Sequence, residues 1–311
     1  MRSRIPAIHH FRCDLRCGAA CAYAGVSFIA LSPLPEHKED DRLKIATPIS
    51  GADDPRVTAY AAIRERDLTS GHGARFIVEG KVTLETLLTR GRFEVESLFL
   101  CETRLAPLAD LLAKVPAGVP VYVAPQGVMD EVAGFPMHRG VLACGRKGAP
   151  LRPADVLSAE GPSTALLLSG LSNHDNVGAC FRNAAAFGAG AVLLDAESCD
   201  PLYRKAIRVS SGTTLWLPFA QSGSGGGLIE AAEASGHEVW ALTPRADAAP
   251  LPSLKVPERL ALLLGAEGPG LPAGLIARAR PVRIPMTDGF DSVNVATAAA
   301  LALSHVFNAR G

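Results

Sequence analysis

Residues 260–270 read Leu260-Ala261-Leu262-Leu263-Leu264-Gly265-Ala266-Glu267-Gly268-Pro269-Gly270. Five apolar residues in succession, with no polar face, predict a strand buried on both sides. The run stops abruptly in a turn rich in glycine around Glu267. Glycine lets a backbone turn tightly and come close to a ligand. The turn is not a P-loop, because no Gly-Lys-Ser/Thr follows, and it is not a Gly-x-Gly-x-x-Gly opening a helix. Taken alone, such a turn serves structure as readily as binding.

Outward from this strand, the chain alternates. Further strands are predicted over 165–169, 191–195, 214–218, 238–242 and 281–284, with helices over 178–187, 201–208, 227–235 and 293–308. Alternation of this kind means an α/β fold with a largely parallel sheet and helices on both faces. Open sheets of this class bind ligands beyond the strand ends, and two more loops there carry polar residues. One is Leu171-Ser172-Asn173-His174-Asp175-Asn176-Val177-Gly178, with Arg182 just beyond. A strand-to-helix turn with a surface arginine would look the same. The other runs through Ile284, Pro285 and Met286 to Ser292, Val293 and Asn294, where Ser292 and Asn294 are placed to cap the last helix.

In this order the three stretches resemble the signature motifs of the SpoU/TrmH family in the SPOUT superfamily. Asn176, Gly178 and Arg182 match the first. Gly265, Glu267, Gly268, Gly270 and Leu271 match the second, and Ile284, Pro285, Met286, Ser292, Asn294 and Ala296 the third. Arg208-Val209-Ser210-Ser211-Gly212 also follows the family pattern. The chain departs at Asn173-His174, where many members have Asp-Pro; this bears on the choice of target. Phe76-Ile77-Val78-Glu79-Gly80 and Gly134-Phe135-Pro136-Met137-His138-Arg139-Gly140 resemble the ends of the family's small α/β RNA-binding domain.

The resemblance implies a C-terminal domain tied in a deep trefoil knot, an otherwise nearly absent topology. It implies S-adenosylmethionine held by Leu264, Gly265, Ala266, Glu267, Gly268, Gly270, Ile284, Pro285, Met286, Val293 and Asn294. The implied reaction is methyl transfer to a ribose 2′-OH in tRNA or rRNA. Arg182 is its central catalytic residue, aided by Asn176, Glu267, Ser292 and Asn294, and Glu267 is expected to pair with Arg182. An arginine is an awkward base, since its guanidinium stays protonated; it either loses its proton beside an RNA phosphate or stabilises the forming alkoxide. Members act as homodimers, with Arg182 of one subunit near the cofactor of the other. A Rossmann-type methyltransferase is disfavoured because Ser169-Gly170-Leu171-Ser172 is not its glycine loop. A non-catalytic RNA-binding protein and a base methyltransferase of the same fold remain as alternatives.

Four segments are expected: an N-terminal extension over 1–45, an RNA-binding domain with a leading helix over 46–148, a linker over 149–163, and the methyltransferase domain over 164–311. The leading helix spans 54–68. Within the RNA-binding domain, strands are predicted over 75–78, 95–100, 120–124 and 140–144, with helices over 82–89, 106–114 and 126–132. Residues 1–45 read as an extension ahead of the true start, or as a targeting peptide. Cys13, Cys17 and Cys21 beside His9 and His10 lack the spacing of a structural zinc site, and no metal is expected.

The formal net charge is zero, with 31 Lys+Arg against 31 Asp+Glu. RNA must therefore be held by a local patch. Arg75, Lys81, Arg139, Arg146 and Lys147 are the candidates, with Arg90 and Arg92 in the same basic region. Seven cysteines without framework spacing fit free thiols in a reducing cytoplasm, and no apolar run is long enough to span a membrane. Cys180, inside the first motif, reads as a packing thiol rather than a nucleophile, because direct transfer needs no covalent intermediate. His174 reads as a loop-shaping or RNA-contacting residue.

Overall fold

The computed structural model describes residues 46–61, 75–157, 161, 163–221 and 223–311. The expectations for 1–45, and for the second half of the helix over 54–68, lie outside these residues. The first half of that helix is a short 3-10 helix, Pro55–Tyr60, whose start is fixed by Asp54 accepting from the Arg56 amide.

The first layer is a five-stranded sheet. Its strands are β1 (Ala46–Pro48), β2 (Arg75–Glu79), β3 (Glu94–Cys101), β4 (Val121–Ala124) and β5 (Val141–Arg146), in the order β1-β4-β3-β5-β2. β5 runs antiparallel to both β2 and β3, while β1 and β3 flank β4 in parallel. Helices α1 (Lys81–Arg90), α2 (Ala109–Leu112) and α3 (Gln126–Ala133) cover it. Alternating residues of β3 serve two cores. Leu98 and Leu100 join Phe76 and Leu84 on one face; Phe99 joins Tyr60, Met129 and Leu142 on the other.

After α4 (Pro153–Val156) comes a second, seven-stranded sheet, parallel throughout. Its strands are β6 (Ser163–Ser169), β7 (Ala191–Leu194), β8 (Phe219–Gln221), β9 (Glu238–Leu242), β10 (Ala249–Pro250), β11 (Arg259–Gly265) and β12 (Arg280–Arg283). The order is β10-β12-β9-β11-β6-β7-β8. The apolar run Leu260–Leu264 lies in β11, at the centre, where Leu262, Leu263 and the facing Leu166 and Leu167 are fully buried. Helices α5 (His174–Ala186) and α9 (Val295–Arg310) pack on one face. α7 (Gly225–Ala234), α8 (Ala273–Ile276) and α4 pack on the other. From β6 the chain builds outward through β7 and β8, then returns to build the opposite side. Gly265 pairs with Ser169, so the loops after β11 and β6 emerge side by side at this switch point, where such sheets bind ligands.

Three expectations need correction. The strand foreseen over 214–218 is a 3-10 turn, Thr213–Leu215, and the strand begins only at Phe219. Ser211 (φ 54°) and Gly212 (φ 82°) both lie in the left-handed region, which turns the chain before the β-branched Thr213-Thr214 pair can extend. The helix foreseen from 178 begins at His174, because the Asn173 side chain accepts from the Asp175 amide at 2.8 Å and starts it a turn early. The stretch over 149–163 is more than a tether: it holds α4, and Leu157 is buried in the core beneath the second sheet.

The two layers are joined by packing. Leu202, Ile207 and Leu215 extend the Phe76 and Leu84 core, with Ile207 in α6 (Arg204–Val209). A Cβ on Gly212 would stand 3.0 Å from the Thr86 side chain. Arg90 lies over Trp216 at 3.8 Å, and Arg92 sits between Phe93 (4.5 Å) and Phe219 (4.6 Å). These two arginines spend their guanidinium faces on the join.

Candidate active site

Each of the three loops is shaped by its own residues. After β11, Ala266 and Gly270 form a bridge, with the Gly270 amide donating to the Ala266 carbonyl at 3.1 Å. This closes a hairpin so tight that a Cβ on Gly265 would lie 2.6 Å from the Leu271 nitrogen. Gly268 adopts φ 84°, a conformation that side chains oppose.

The loop after β6 is anchored from below by Asp195, which is 2% exposed at the end of β7. Its carboxylate accepts from Ser169 Oγ (2.7 Å), the Gly170 amide (3.0 Å) and both the amide and hydroxyl of Ser198 (2.9 and 2.8 Å). A carboxylate is buried tolerably only when hydrogen-bonded this fully. Sequence reasoning overlooked Asp195; the one signal was an acidic residue directly after a buried strand. Asn176 and Gly178 sit within α5 rather than in a turn. Gly178 is required by packing, since a Cβ there would be 2.6 Å from the Ala206 carbonyl of α6.

The third loop ends in α9, whose cap is Asn294 alone. Its Oδ1 accepts from the Ala296 (2.9 Å) and Thr297 (3.3 Å) amides. Ser292, expected to share the capping, is exposed and precedes the cap. The free Nδ2 of Asn294 donates to Asn176 Oδ1 at 3.0 Å and to Glu267 Oε1 at 2.6 Å. One amide therefore ties the first turn of α5 and the loop after β11 to the start of α9. Among the described residues of the single chain Glu267 and Arg182 form no pair, and Glu267 accepts from Asn294.

Between the loops after β9, β11 and β12 lies a cavity of about 510 Å³. Of the residues expected to hold the cofactor, Leu264, Gly265, Ala266, Gly268, Gly270, Ile284, Met286 and Val293 line it, and so does Ser292. Glu267, Asn294 and Pro285 stand outside its wall. The wall also includes Leu242, Thr243, Pro244 and Arg245 after β9, which sequence reasoning missed, although a loop beyond a buried strand was the available signal. Apolar side chains and turning backbone, with few charges, suit a nucleoside-sized ligand that is recognised largely by main-chain groups. The S-adenosyl group fits that donor set.

Arg182 is exposed, holds no ion pair among the described residues and does not line the cavity. It stands six residues beyond Asn176 in α5, about 120° round the helix. Cys180, 0% exposed beneath it, has its thiol pushed up to about 12 by burial, with Glu267 adding to the shift. That places it in the core and out of nucleophilic chemistry. His174 stacks on Tyr203 at 3.6 Å, which fits a loop-shaping role.

The basic candidates of the first layer divide. Arg75 and Arg146 both clamp Glu96 (2.7 and 3.0 Å), and Lys147 pairs with Asp200 across the join. Lys81 and Arg139 are exposed, with Arg139 3.9 Å from Glu79. Among the described residues no acidic, histidine and cysteine cluster forms a metal site, and no helix is long and apolar enough to cross a membrane.

Residues 163–304 match the SpoU rRNA Methylase family. An uncharacterized tRNA/rRNA methyltransferase of Mycobacterium bovis is 42% identical over 80% of this chain and 88% of its own length. A 23S rRNA (guanosine-2′-O-)-methyltransferase of Yersinia pestis is 29% identical over 76% of this chain and 98% of its own. An AdoMet-bound rRNA methyltransferase from Sinorhizobium meliloti shares the fold, with TM-score 0.70 and 22% identity, covering 85% of this chain and 98% of that one. A crystal structure of an RNA 2′-O ribose methyltransferase gives TM-score 0.66 and 25% identity, covering 85% and 99%. With residues 163–304 matching the family model, and a relative this similar over most of both chains, the chain belongs to the SpoU rRNA methylase family.

Proposed function

We propose that this protein methylates a ribose 2′-OH of tRNA or rRNA, using S-adenosylmethionine bound in the cavity beside β11. The observation that carries the reading is the Asn294 bridge to Asn176 and Glu267, which holds the three family motifs in one arrangement. When bound, the cofactor supplies an electrophilic methyl group. Gly265, Ala266, Gly268, Gly270, Ile284 and Met286 would hold its nucleoside part, because they line the cavity.

The chain's own residues then have to orient and activate a hydroxyl. Arg182 is the available cation. It stays protonated under ordinary conditions, so its role is to hold the phosphate beside the target ribose and stabilise negative charge growing on the 2′-oxygen. Arg182 does not line the cavity of its own chain, so the complete site draws on the Arg182 of a second subunit, and the working unit is a homodimer. The exposed apolar residues of α9, Leu301 (46%) and Phe307 (54%), support such a contact, with Phe307 paired to Phe187 at 6.2 Å. The last strands and α9 form the trefoil knot that gives the cavity its rigidity. The enzyme works in the cytoplasm, where its RNA is found.

The test is methyl transfer from labelled cofactor to total tRNA and rRNA, with nuclease digestion and mass spectrometry to locate the mark. Transfer to a ribose supports the reading. Transfer to a base, or cofactor binding without transfer, supports one of the two alternatives.

A further inference from the structure

A second cavity, of about 570 Å³, opens where the two layers meet and shares no lining residue with the cofactor cavity. Its walls come from both halves of the chain: Lys81, Arg104 and Arg139 from the first, Arg208 and Ser211 from the second. In its floor is Glu79, 7% exposed. Arg204, which is largely enclosed, makes direct contact with one Glu79 oxygen. Arg139 and Arg208 approach the same carboxylate only to 3.9 Å, beyond hydrogen-bond distance, and their side chains remain 53% and 41% exposed.

One carboxylate matched by one enclosed arginine leaves the other two guanidinium groups with donors to spare. Arg104 gives one contact, to the His138 carbonyl at 3.2 Å, and Lys81 is exposed. A neutral protein thus gathers four accessible cations around a single compensated acid. The cleft also has an apolar wall, with Val82 63% exposed beside Pro107. Ser211 at its rim is the one non-glycine residue with positive φ among the described residues. Strained backbone of this kind tends to persist where function demands it.

We propose that this cleft holds a nucleotide of the substrate RNA, with its phosphodiester between Arg139 and Arg208 and its sugar or base against Val82. The assignment rests on the reading of the chain as an RNA methyltransferase. Guanidinium forks match phosphate oxygens in pairs, and the apolar wall beside them suits a nucleoside. The cations are exposed rather than enclosed, which suits a polymer passing through better than a small anion to be captured. Because Arg139 and Arg208 come from opposite halves, one bound phosphate would fix the RNA relative to both layers.

The experiment compares full-length wild type, the double variant Arg139→Ala/Arg208→Ala, and the double variant Arg139→Lys/Arg208→Lys. Binding to a methylatable RNA is followed against salt. The alanine pair is expected to lower the magnitude of the log-affinity versus log-salt slope by about 0.7 to 1.4, the value of one or two phosphate contacts on single-stranded RNA. It should also raise the KM for RNA while leaving kcat and cofactor affinity in place. The lysine pair should recover the slope but only part of the affinity, since a point charge lacks the fork. Arg152→Ala, removing an exposed guanidinium bonded to Asp155, should leave the slope unchanged. An unchanged slope and KM in the alanine pair would overturn the proposal. So would saturable binding of inorganic phosphate or a nucleoside monophosphate that the pair abolishes without altering RNA binding. The slope is read independently of turnover, so a chain that binds RNA through these arginines but methylates none would sink the proposed function and leave the cleft standing.

Discussion

Asn294 and Asn176, 118 residues apart in sequence, meet at 3.0 Å through their side-chain amides. The same Asn294 nitrogen reaches Glu267, while its oxygen caps α9. Replacing Asn294 with Ala removes all of these bonds at once. Loss of the cap should cost about 0.5–2 kcal/mol of stability, measurable by urea denaturation. The cofactor dissociation constant should rise by more than that stability loss explains, because the loops on either side of the cavity lose their common anchor. Asn294→Asp keeps the cap but loses both donated bonds, placing a carboxylate against Glu267. It should retain stability better than Ala and bind cofactor no better. A variant with wild-type cofactor affinity would show that the bridge does not shape the cavity.

The hairpin after β11 leads to a sharper steric prediction. A methyl group at Gly265 would meet the Leu271 nitrogen at 2.6 Å and the Gly270 backbone at 2.7 Å. Gly265→Ala therefore has to open the loop, and cofactor titration should show affinity lost while circular dichroism stays close to wild type. Gly274→Ala, with nothing near its added methyl, is the control and should bind normally.

Burial raises the thiols of Cys144, Cys180 and Cys199 from an ordinary value of 9.0 to about 12. At pH 8 only about one in ten thousand of such thiols is ionised. Alkylating reagents should leave these three unmodified in the folded protein, as mass mapping would reveal, and should not inhibit methyl transfer through them. The stability they contribute is full below about pH 9 and is lost as pH rises toward 12, because the unfolded chain releases their protons first.

His237 gives the opposite pH dependence. It is 4% exposed, lies 2.8 Å from Ser163 Oγ, and its basicity is lowered from the usual 6.5, first by burial and then by Arg259, with Arg310 also facing it. A histidine held neutral in this way contributes stability that is complete above pH 6.5 and declines as pH falls. The wild-type melting temperature should drop more steeply below that pH than that of His237→Gln, which keeps a hydrogen-bonding group without a titration. Parallel curves would assign the acid sensitivity to other groups.

Much of this arrangement was legible in the sequence, for identifiable reasons. The β11 run is apolar throughout because both faces are buried, and the glycines after it are fixed by backbone approach; both leave marks in a single chain. What escaped detection depends on tertiary context. Nothing local in Asp195 reveals that it anchors the loop after β6, and the turn at Ser211 overrode the strand preference of Thr213 and Thr214. Glu267 and Arg182 looked like natural partners by charge, yet within the one chain Glu267 bonds to Asn294 instead. The basic residues looked alike in sequence. Folding gives Arg90 and Arg92 to the join between layers, Arg75 and Arg146 to Glu96, and leaves Arg139 facing solvent.

The central claim is that Arg182 promotes methyl transfer to a ribose without building the cofactor cavity. The direct test is Arg182→Ala, with cofactor affinity by titration, transfer of tritiated methyl to RNA, and the modified nucleotide identified after digestion. Cofactor affinity should be nearly unchanged, the transfer rate should fall by about 100- to 1000-fold as for loss of one charge-stabilising group, and the wild-type product should be methylated on the 2′-oxygen. Near-normal turnover of the variant, or a methyl group found on the base, would contradict that claim.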